Sequence, residues 1–303
     1  VYAVSNTASS VEILEGTETI DAYVFYAAKN LHSAILPESL VSIHENAFGS
    51  SGLSELHLPN SLTEIGDYAF SCCQNIQEVT IPNNVSILGE EAFAYCPALT
   101  AVTIGKSVPT LTDIFPESPN ITDITVSQEN PYLESLENVV YSKDHTKLFY
   151  YAPGKPDTAY HASEQVREIP TGAIQHASAL KKLYLPKALE HINHWGIANN
   201  PNLDAIFFAG NCPTTDTYNR AIYQNAKNLI LYKLASSTGW DYPGLGPEQT
   251  ADWDPSNTTQ DSGSLGGIRW EYTGSEGRLA LTGSGQLPDF SEGQAFYRLM
   301  HCH

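Results

Sequence analysis

Five cysteines are the first residues of this chain that could do nucleophilic or redox chemistry. They are Cys72, Cys73, Cys96, Cys212 and Cys302. No C-x-x-C motif is present, and the odd, sparse count is not typical of a disulfide scaffold. A reactive thiol needs an activating base beside it, and the surrounding segments supply no obvious histidine. Cys73 and Cys96 lie 23 residues apart, which favours a buried column of small side chains, with a disulfide between them as the alternative.

Histidines and carboxylates are the other groups whose spacing could build a site. His191 and His194 in HINHW lie three residues apart, and HCH ends the chain at 301–303. Each pair could bind a metal only if a third ligand converged on it. Glu90 and Glu91 lie in an expected turn, whereas glycoside hydrolysis needs two carboxyls roughly 5–10 Å apart in a cleft. The sequence also lacks H-E-x-x-H, G-x-S-x-G, P-loop and G-x-G-x-x-G motifs. We therefore expect no enzyme activity, no metal and no cofactor.

The charge balance argues against several classes of partner. The chain of 303 residues has 15 basic and 34 acidic side chains, a formal net charge of −19. Such a surface repels polyanions, so nucleic acid and anionic membrane are poor partners. No window approaches the roughly 20 apolar residues that span a bilayer, so we expect no membrane insertion. The opening VYAVSNTASS resembles the small-residue end of a cleaved leader, which favours a secreted or cell-surface location.

One pattern recurs along most of the chain and must position these residues. Segments such as SIHENAF (42–48), EIGDYAF (64–70) and ILGEEAF (87–93) each end on an apolar anchor. Successive anchors lie 22 or 23 residues apart, and the spacing resumes after a gap. The anchors are Phe25, Phe48, Phe70, Phe93, Phe115, Ile174 and Ile197. A fixed period in the low twenties is typical of a solenoid.

An L-x-x-L-x-L run follows most anchors and often ends in proline. Examples are LSELHLP (53–59), IQEVTIP (76–82) and LKKLYLP (180–186). The last two apolar residues of such a run point to one face of a short strand. One coil cannot bury that face alone, but stacked coils bury it against the same residues of their neighbours. The sequence therefore predicts a parallel sheet of short strands on one wall and a buried file of anchors on the opposite wall.

The repeat also resembles a known family. Its pattern I-G-x-x-A-F-x-x-C-x-x-L-x-x-V-x-I-P is similar to the BspA-like leucine-rich repeats of bacterial surface proteins. The best copies are FSCCQNIQEVTIP (70–82) and FAYCPALTAVTI (93–104). The resemblance covers roughly residues 11–240 and implies a leucine-rich-repeat solenoid, a right-handed coil with a short-strand parallel sheet. It also implies a role in adhesion to host proteins or to other cells.

The organisation along the chain follows from these patterns. We expect a solenoid of about eight coils over residues 1–245, with a hairpin insertion near 127–165 that contains VVYSKDHTKLFYY. Residues 246–264 are polar and rich in Pro, Gly, Ser and Thr, which is typical of a linker. Residues 265–303 contain two strand-like runs around a glycine-containing turn. They predict a small C-terminal β-hairpin element, either a cap or the start of a second array.

The outward side of the strands is the surface most open to a partner. The candidate partner-binding residues are Glu55, His57, Glu78, Asp123, Tyr184 and Phe207. Tyr184 and Phe207 would form an exposed aromatic patch, a residue type enriched at interface hot spots. Glu55, Glu78 and Asp123 would add an acidic stripe that attracts a basic partner. Alternatively, these columns only stabilise the exposed sheet by side-by-side stacking.

The sequence thus favours a non-catalytic secreted or cell-surface module for protein interaction or adhesion. Its expected partner is a protein ligand on a host or a neighbouring cell. One alternative is a carbohydrate-binding surface protein, with exposed Tyr and Trp rings stacked on sugars. A structural spacer is a second alternative, and a hydrolase of cell-wall material is a third for which no residue can be named.

Overall fold

The structure, a computed structural model, describes most of the chain. The described residues are 8–216, 220–241, 244–246 and 249–255, together with the backbone of 261–265, 268–273 and 278–283. Up to residue 253 they form a β-solenoid of about ten turns, more than the eight coils that the sequence predicts. This part of the chain contains strands and turns but no α-helix, and no helix in it is long and apolar enough to cross a membrane.

The first array, residues 10–126, is built from short strands. They are β1 (Ser10–Glu12), β2 (Thr19–Ile20), β3 (Ser33–Ile35), β4 (Ser42–Ile43), β5 (Glu64–Ile65), β6 (Glu78–Ile81), β7 (Ile87–Leu88), β8 (Ala101–Ile104) and β9 (Asp123–Val126). The L-x-x-L-x-L runs supply the front strands, in which β1 pairs with β3, β6 with β8 and β8 with β9, all in parallel. The two-residue strands β2, β4, β5 and β7 form a second parallel ladder. The predicted parallel sheet is confirmed.

The anchors of the first array lie in file on the return wall, opposite the front strands. Phe48, Phe70 and Phe93 are fully buried. Neighbouring rings stack with centroids 5.4 Å apart for Phe48 and Phe70 and 5.2 Å apart for Phe70 and Phe93. Phe25 and Phe115 extend the file at its two ends. We call these five residues the phenylalanine spine, and it confirms the predicted file of anchors.

An antiparallel insertion separates the two arrays, within the range near 127–165 where the sequence places a hairpin. It consists of β10 (Leu133–Leu136), β11 (Val139–Ser142) and β12 (Leu148–Tyr151), paired in that order. Adjacent residues of its strands face different hydrophobic clusters. Val140 and Tyr150 pack with the first array, whereas Val139 and Tyr151 pack with the second. The insertion therefore closes the core of both arrays at their common boundary.

The second array, residues 159–253, continues the solenoid. Its strands are β13 (Ala159–His161), β14 (Glu168–Ile169), β15 (Ile174–Gln175), β16 (Lys182–Leu185), β17 (His191–Ile192), β18 (Ile197–Ala198), β19 (Ala205–Phe208), β20 (Thr214–Thr215), β21 (Ile222–Tyr223), β22 (Ile230–Leu234) and β23 (Thr250–Trp253). The front sheet has the order β13-β16-β19-β22-β23. The return wall is itself a ladder here, β15-β18-β21, because isoleucine anchors adopt strand geometry.

The structure corrects the prediction that residues 246–264 are a linker. Thr250–Trp253 is β23, which pairs in parallel with β22 and extends the front sheet past residue 245. Lys233 Nζ donates a hydrogen bond to Asp252 Oδ1 at 2.5 Å across this pair. Turn-forming residues on both sides of the strand conceal it in the sequence. It forms because a sheet edge is already present for it to join.

Three antiparallel strands follow, which we call the C-terminal element. They are β24 (Asp261–Leu265), β25 (Ile268–Thr273) and β26 (Arg278–Gly283). β25 and β26 lie within the predicted hairpin region 265–303, but β24 falls mainly in the predicted linker. Its sequence does not indicate a strand, because it becomes one only by pairing with β25. β24 lies beside β13 of the second array. Cys302 and the terminal HCH lie outside the described residues.

Candidate binding wall

Alternation along the front strands separates a buried face from an outward face, which we call the outer wall. In β6, Val79 and Ile81 are buried while Glu78 and Thr80 are exposed. Successive side chains of a strand point to opposite faces, so every coil adds side chains to the outer wall. The wall has one part in each array, and the two parts differ in chemistry.

Four of the six predicted binding residues lie on the outer wall of the first array. Glu55, His57, Glu78 and Asp123 are all exposed. In the parallel register, Ala101 lies between Glu78 and Asp123. The two carboxylates are therefore two strands apart, about 10 Å at the usual strand spacing. A small neutral side chain separates them, so no base on the intervening strand neutralises them.

A second outward column of the first array is β-branched. Thr80, Thr103 and Thr125 lie opposite one another on β6, β8 and β9. Thr125 Oγ1 donates a hydrogen bond to Thr103 Oγ1 at 3.3 Å. Ile35, on β3 of the same array, is 64% exposed. This part of the wall thus presents methyl groups beside carboxylates.

Tyr184 and Phe207, the other two predicted residues, lie on the outer wall of the second array. Their rings stack with centroids 4.5 Å apart and an interplanar angle of 8°. His161 stacks on Tyr184 at 4.1 Å, and Tyr232 stacks on Phe207 at 4.7 Å. Trp253 meets Phe207 edge-on at 5.2 Å. We call these five residues the aromatic wall.

The prediction that Tyr184 and Phe207 form an exposed patch is wrong. They retain only 8% and 9% of their exposure, because neighbouring rings cover both faces and Trp253 lies across them. The six predicted residues therefore do not form one site. His161 and Tyr232 could have been found from the period, since they lie 23 residues before Tyr184 and 25 after Phe207. Trp253 could not, because its strand is hidden among turn residues.

Cys73 and Cys96 of the first array are buried and unreactive. Cys73 and Cys96 are free, so the alternative disulfide is not formed. The Cys73 thiol donates to the carbonyl of Phe48 at 3.3 Å, and the Cys96 thiol donates to the carbonyl of Phe70 at 3.4 Å. Burial raises the pKa of Cys73 to about 11 and also raises the pKa of Cys96. Thiols that remain protonated at neutral pH are poor nucleophiles.

Both histidines of HINHW form hydrogen bonds with residues of the next coil. One ring nitrogen of His191 lies 2.8 Å from Thr214 Oγ1, and the other lies 3.3 Å from Asp216 Oδ1. The backbone amide of His194 donates to Asp216 Oδ2 at 2.8 Å. Among the described residues, no group of three or more His, Cys, Asp or Glu side chains could hold a metal ion.

The paired carboxylates belong to a return turn. Asp113, one coil beyond Glu90 and Glu91, has its pKa raised to about 6, first by burial and then by those two like charges. Its Oδ1 lies so close to Gly172 that a Cβ there would be 2.9 Å away. The burial of Asp113 thus comes from the packing of the return wall at the boundary between the arrays.

The repeats match a family over most of the chain. The BspA type leucine-rich repeat region matches in 6 copies over residues 2–122 and 145–238. The chain belongs to this family. BspA-type repeat proteins form a family of surface and protein-interaction modules that is generally non-catalytic. In this BspA-type chain, the unmatched stretch between the two ranges contains β9, β10 and β11, where one array ends and the insertion begins.

Solved structures share this fold. The pneumococcal vaccine antigen PcpA is 24% identical, with a TM-score of 0.60, and the match covers 74% of this chain and 68% of that one. A leucine-rich repeat protein from Eubacterium ventriosum is 17% identical, with a TM-score of 0.52 and coverage of 75% and 66%. This BspA-type chain therefore spans about two thirds of the length of either protein. No curated protein matches it.

Proposed function

We propose that this chain is a non-catalytic secreted or cell-surface module that binds a protein ligand through the outer wall of the first array. The observation that carries the proposal is the difference in exposure along the wall. Glu55, His57, Glu78 and Asp123 are open to solvent, whereas Tyr184 and Phe207 at the centre of the aromatic wall are buried. Family membership supports the same role, since the family consists of surface and protein-interaction modules.

The chemistry of this surface favours a basic partner. Within the described part of the chain, Glu55, Glu78 and Asp123 form no salt bridge with any residue. The net charge of −19 adds a long-range field of the same sign. Such a field steers a basic protein toward the wall and raises its association rate. The threonine column and Ile35 then offer apolar contact beside the carboxylates.

The decisive experiment compares wild-type protein with the triple variant Glu55→Gln, Glu78→Gln and Asp123→Asn. Both are applied to an array of purified extracellular-matrix and cell-surface proteins. We expect wild type to bind at least one basic protein, and the variant to bind it about tenfold more weakly or worse, a loss of about 1.4 kcal/mol. Raising the salt concentration should weaken wild-type binding as well, because exposed charges are screened.

A matched control separates this site from net charge. Glu15→Gln, Glu38→Gln and Glu164→Gln remove the same three charges at exposed positions outside the front strands. This control should bind nearly as wild type does. Equal binding by both triple variants would show that the outer wall does not recognise the ligand. The proposal would also be overturned if wild type bound none of the purified extracellular-matrix and cell-surface proteins.

The carbohydrate alternative is weaker at this wall. Sugar rings stack on open aromatic faces, but Tyr184 and Phe207 are buried within their own stack. The exposed part of the wall in the first array presents threonines and carboxylates instead. We therefore place the partner among proteins, on a host or a neighbouring cell, and propose adhesion as the outcome of that binding.

A further inference from the structure

The aromatic wall lies on the outer side of an open sheet, and its central residues Tyr184 and Phe207 are nevertheless buried. Tyr184, Ala205 and Phe207 form a buried cluster of their own, with Ala159, Tyr232 and Trp253 packed against it. The corresponding wall of the first array carries exposed side chains in the same strand register. One face of a sheet cannot bury itself against water, so other segments must cover this part of the wall.

Trp253 covers the wall from one edge of the sheet. Ala251 lies opposite Tyr232 and is too small to continue the ring stack. Trp253 comes two residues later and points to the same face. Its ring extends back across two coils, with centroids 5.2 Å from Phe207 and 6.2 Å from Tyr184. β23 therefore does more than add a strand, because it places an aromatic ring over the wall.

The C-terminal element meets the wall at the opposite edge. β13 and β23 are the two edge strands of the front sheet. β24 lies beside β13, and His161 on β13 stacks on Tyr184 of the neighbouring strand. Both edges of the aromatic wall are thus contacted by segments that follow β22 in the chain.

We propose that the aromatic wall, including Trp253, is the docking surface of this chain's own C-terminal element. Docking keeps the outer wall of the second array closed to outside partners, while that of the first array stays open. The docked segment belongs to the same chain and is held nearby by its covalent connection. That connection gives it a high effective concentration, so a modest apolar contact is sufficient.

Cutting the full chain after it has folded tests this proposal. A protease recognition sequence inserted between residues 257 and 258 allows the C-terminal element to be separated from the arrays by cleavage alone. We expect the cut element to co-elute with the arrays in size-exclusion chromatography. The dissociation constant can then be measured by diluting the cut complex. Separation of the cut element from wild-type arrays would overturn the proposal.

Substitutions on the wall identify the contact. Trp253→Ala and, separately, Phe207→Leu should raise the dissociation constant of the cut element about tenfold or more, as expected for buried aromatic anchors. Trp195→Ala is the matched control, because Trp195 lies on the return wall and is exposed. It should leave the dissociation constant unchanged. An unchanged constant in both wall variants would contradict docking at this surface.

Two further measurements keep the result interpretable. Circular dichroism melting of each variant shows whether its arrays remain folded, and Phe207→Leu keeps an apolar side chain in place if Trp253→Ala unfolds the edge strand. The cut protein should still bind the purified surface proteins as strongly as the uncut protein does, because that binding is through the first array of the solenoid. Failure of the docking proposal therefore leaves the proposed function standing, and the reverse also holds.

Discussion

The two arrays place different anchors on one backbone. In the first array Phe70 lies between Tyr68 and Cys72, whose φ angles are 57° and 60°. In the second array Ile197 lies between residues with φ angles of 54° and 56°, Trp195 and Asn199. Left-handed residues thus flank both anchors at the same distance, although non-glycine residues rarely adopt this conformation. The left-handed residues beside the anchor are therefore shared, whereas the choice between Phe and Ile changes what fills the coil and whether the anchors pair as a ladder.

The residue whose side chain donates a hydrogen bond to the anchor carbonyl differs between the two arrays, as the anchor itself does. In the first array, Cys73 and Cys96 donate from small thiols. In the second array, the side-chain amide of Asn200 donates to the carbonyl of Ile174 at 3.0 Å, and that of Asn225 donates to the carbonyl of Ile197 at 3.0 Å. A large phenylalanine anchor is thus paired with a small cysteine donor, and a smaller isoleucine anchor is paired with a larger asparagine donor. The comparison shows volume compensation between neighbouring coils.

The largest effect should come from the phenylalanine spine. Phe70→Ala removes a fully buried ring between Phe48 and Phe93, and we expect it to lower the free energy of unfolding by about 3–5 kcal/mol. Urea denaturation followed by circular dichroism measures this loss. Tyr26→Ala, at a side chain that is half exposed, should cost far less. A loss below about 1 kcal/mol for Phe70→Ala would show that the phenylalanine spine is not a main source of stability in the first array.

The reciprocal change sharpens the comparison between anchors. Ile197→Phe inserts a ring where the Asn225 amide already lies against the anchor carbonyl. Overpacking of this kind should destabilise the protein by about 1–3 kcal/mol. An unchanged free energy of unfolding in the same urea experiment would show that the anchor and the residue donating to its carbonyl are not matched in size.

The side chains that donate to the anchor carbonyls should give an effect of similar size. Asn200 is buried, and its Oδ1 also accepts the amide of Ala177 at 2.9 Å. Asn200→Ala therefore leaves a donor and an acceptor unpaired, and we expect a loss of about 2–3 kcal/mol. Cys96→Ala removes only a weak thiol donor and should cost about 1 kcal/mol. Urea midpoints compare the two, and a larger loss for Cys96→Ala would reverse this assignment.

The smallest effect should appear in the pH dependence at the boundary between the arrays. The pKa of Asp113 is raised from 3.8 to about 6, so the folded state binds this proton more tightly than the unfolded state. Its neutral form is therefore the stabilising one, and stability is lost as the pH rises from about 4 through about 6. Asp113→Asn removes this loss, and asparagine tolerates the φ of 54° at the site.

The Asp113→Asn variant should accordingly gain on the order of 1 kcal/mol over wild type at pH 7 relative to pH 4, after allowance for solvent screening. Urea midpoints of both proteins at the two pH values give this difference directly. A constant difference between them would show that Asp113 is ionised equally easily in the folded and unfolded states.

Much of the architecture could be predicted because the repeat carries it. The spacing of Phe48, Phe70 and Phe93 gives the spine, and the alternation in IQEVTIP gives the two faces of β6. These signals are local and recur in every coil, so one copy checks another. The outward positions of Glu55 and Glu78 follow from the same alternation.

The amino-acid sequence thus determines which side chains point inward, since that depends on residue order within a strand and on the period between coils. Only the tertiary structure decides which outward side chains stay exposed, since that depends on segments far away in the chain. Tyr184 and Phe207 are outward by pattern yet covered by Trp253, which lies beyond the last repeat. Thr250–Trp253 forms a strand for the same reason, because its hydrogen-bonding partner exists only once β22 is in place.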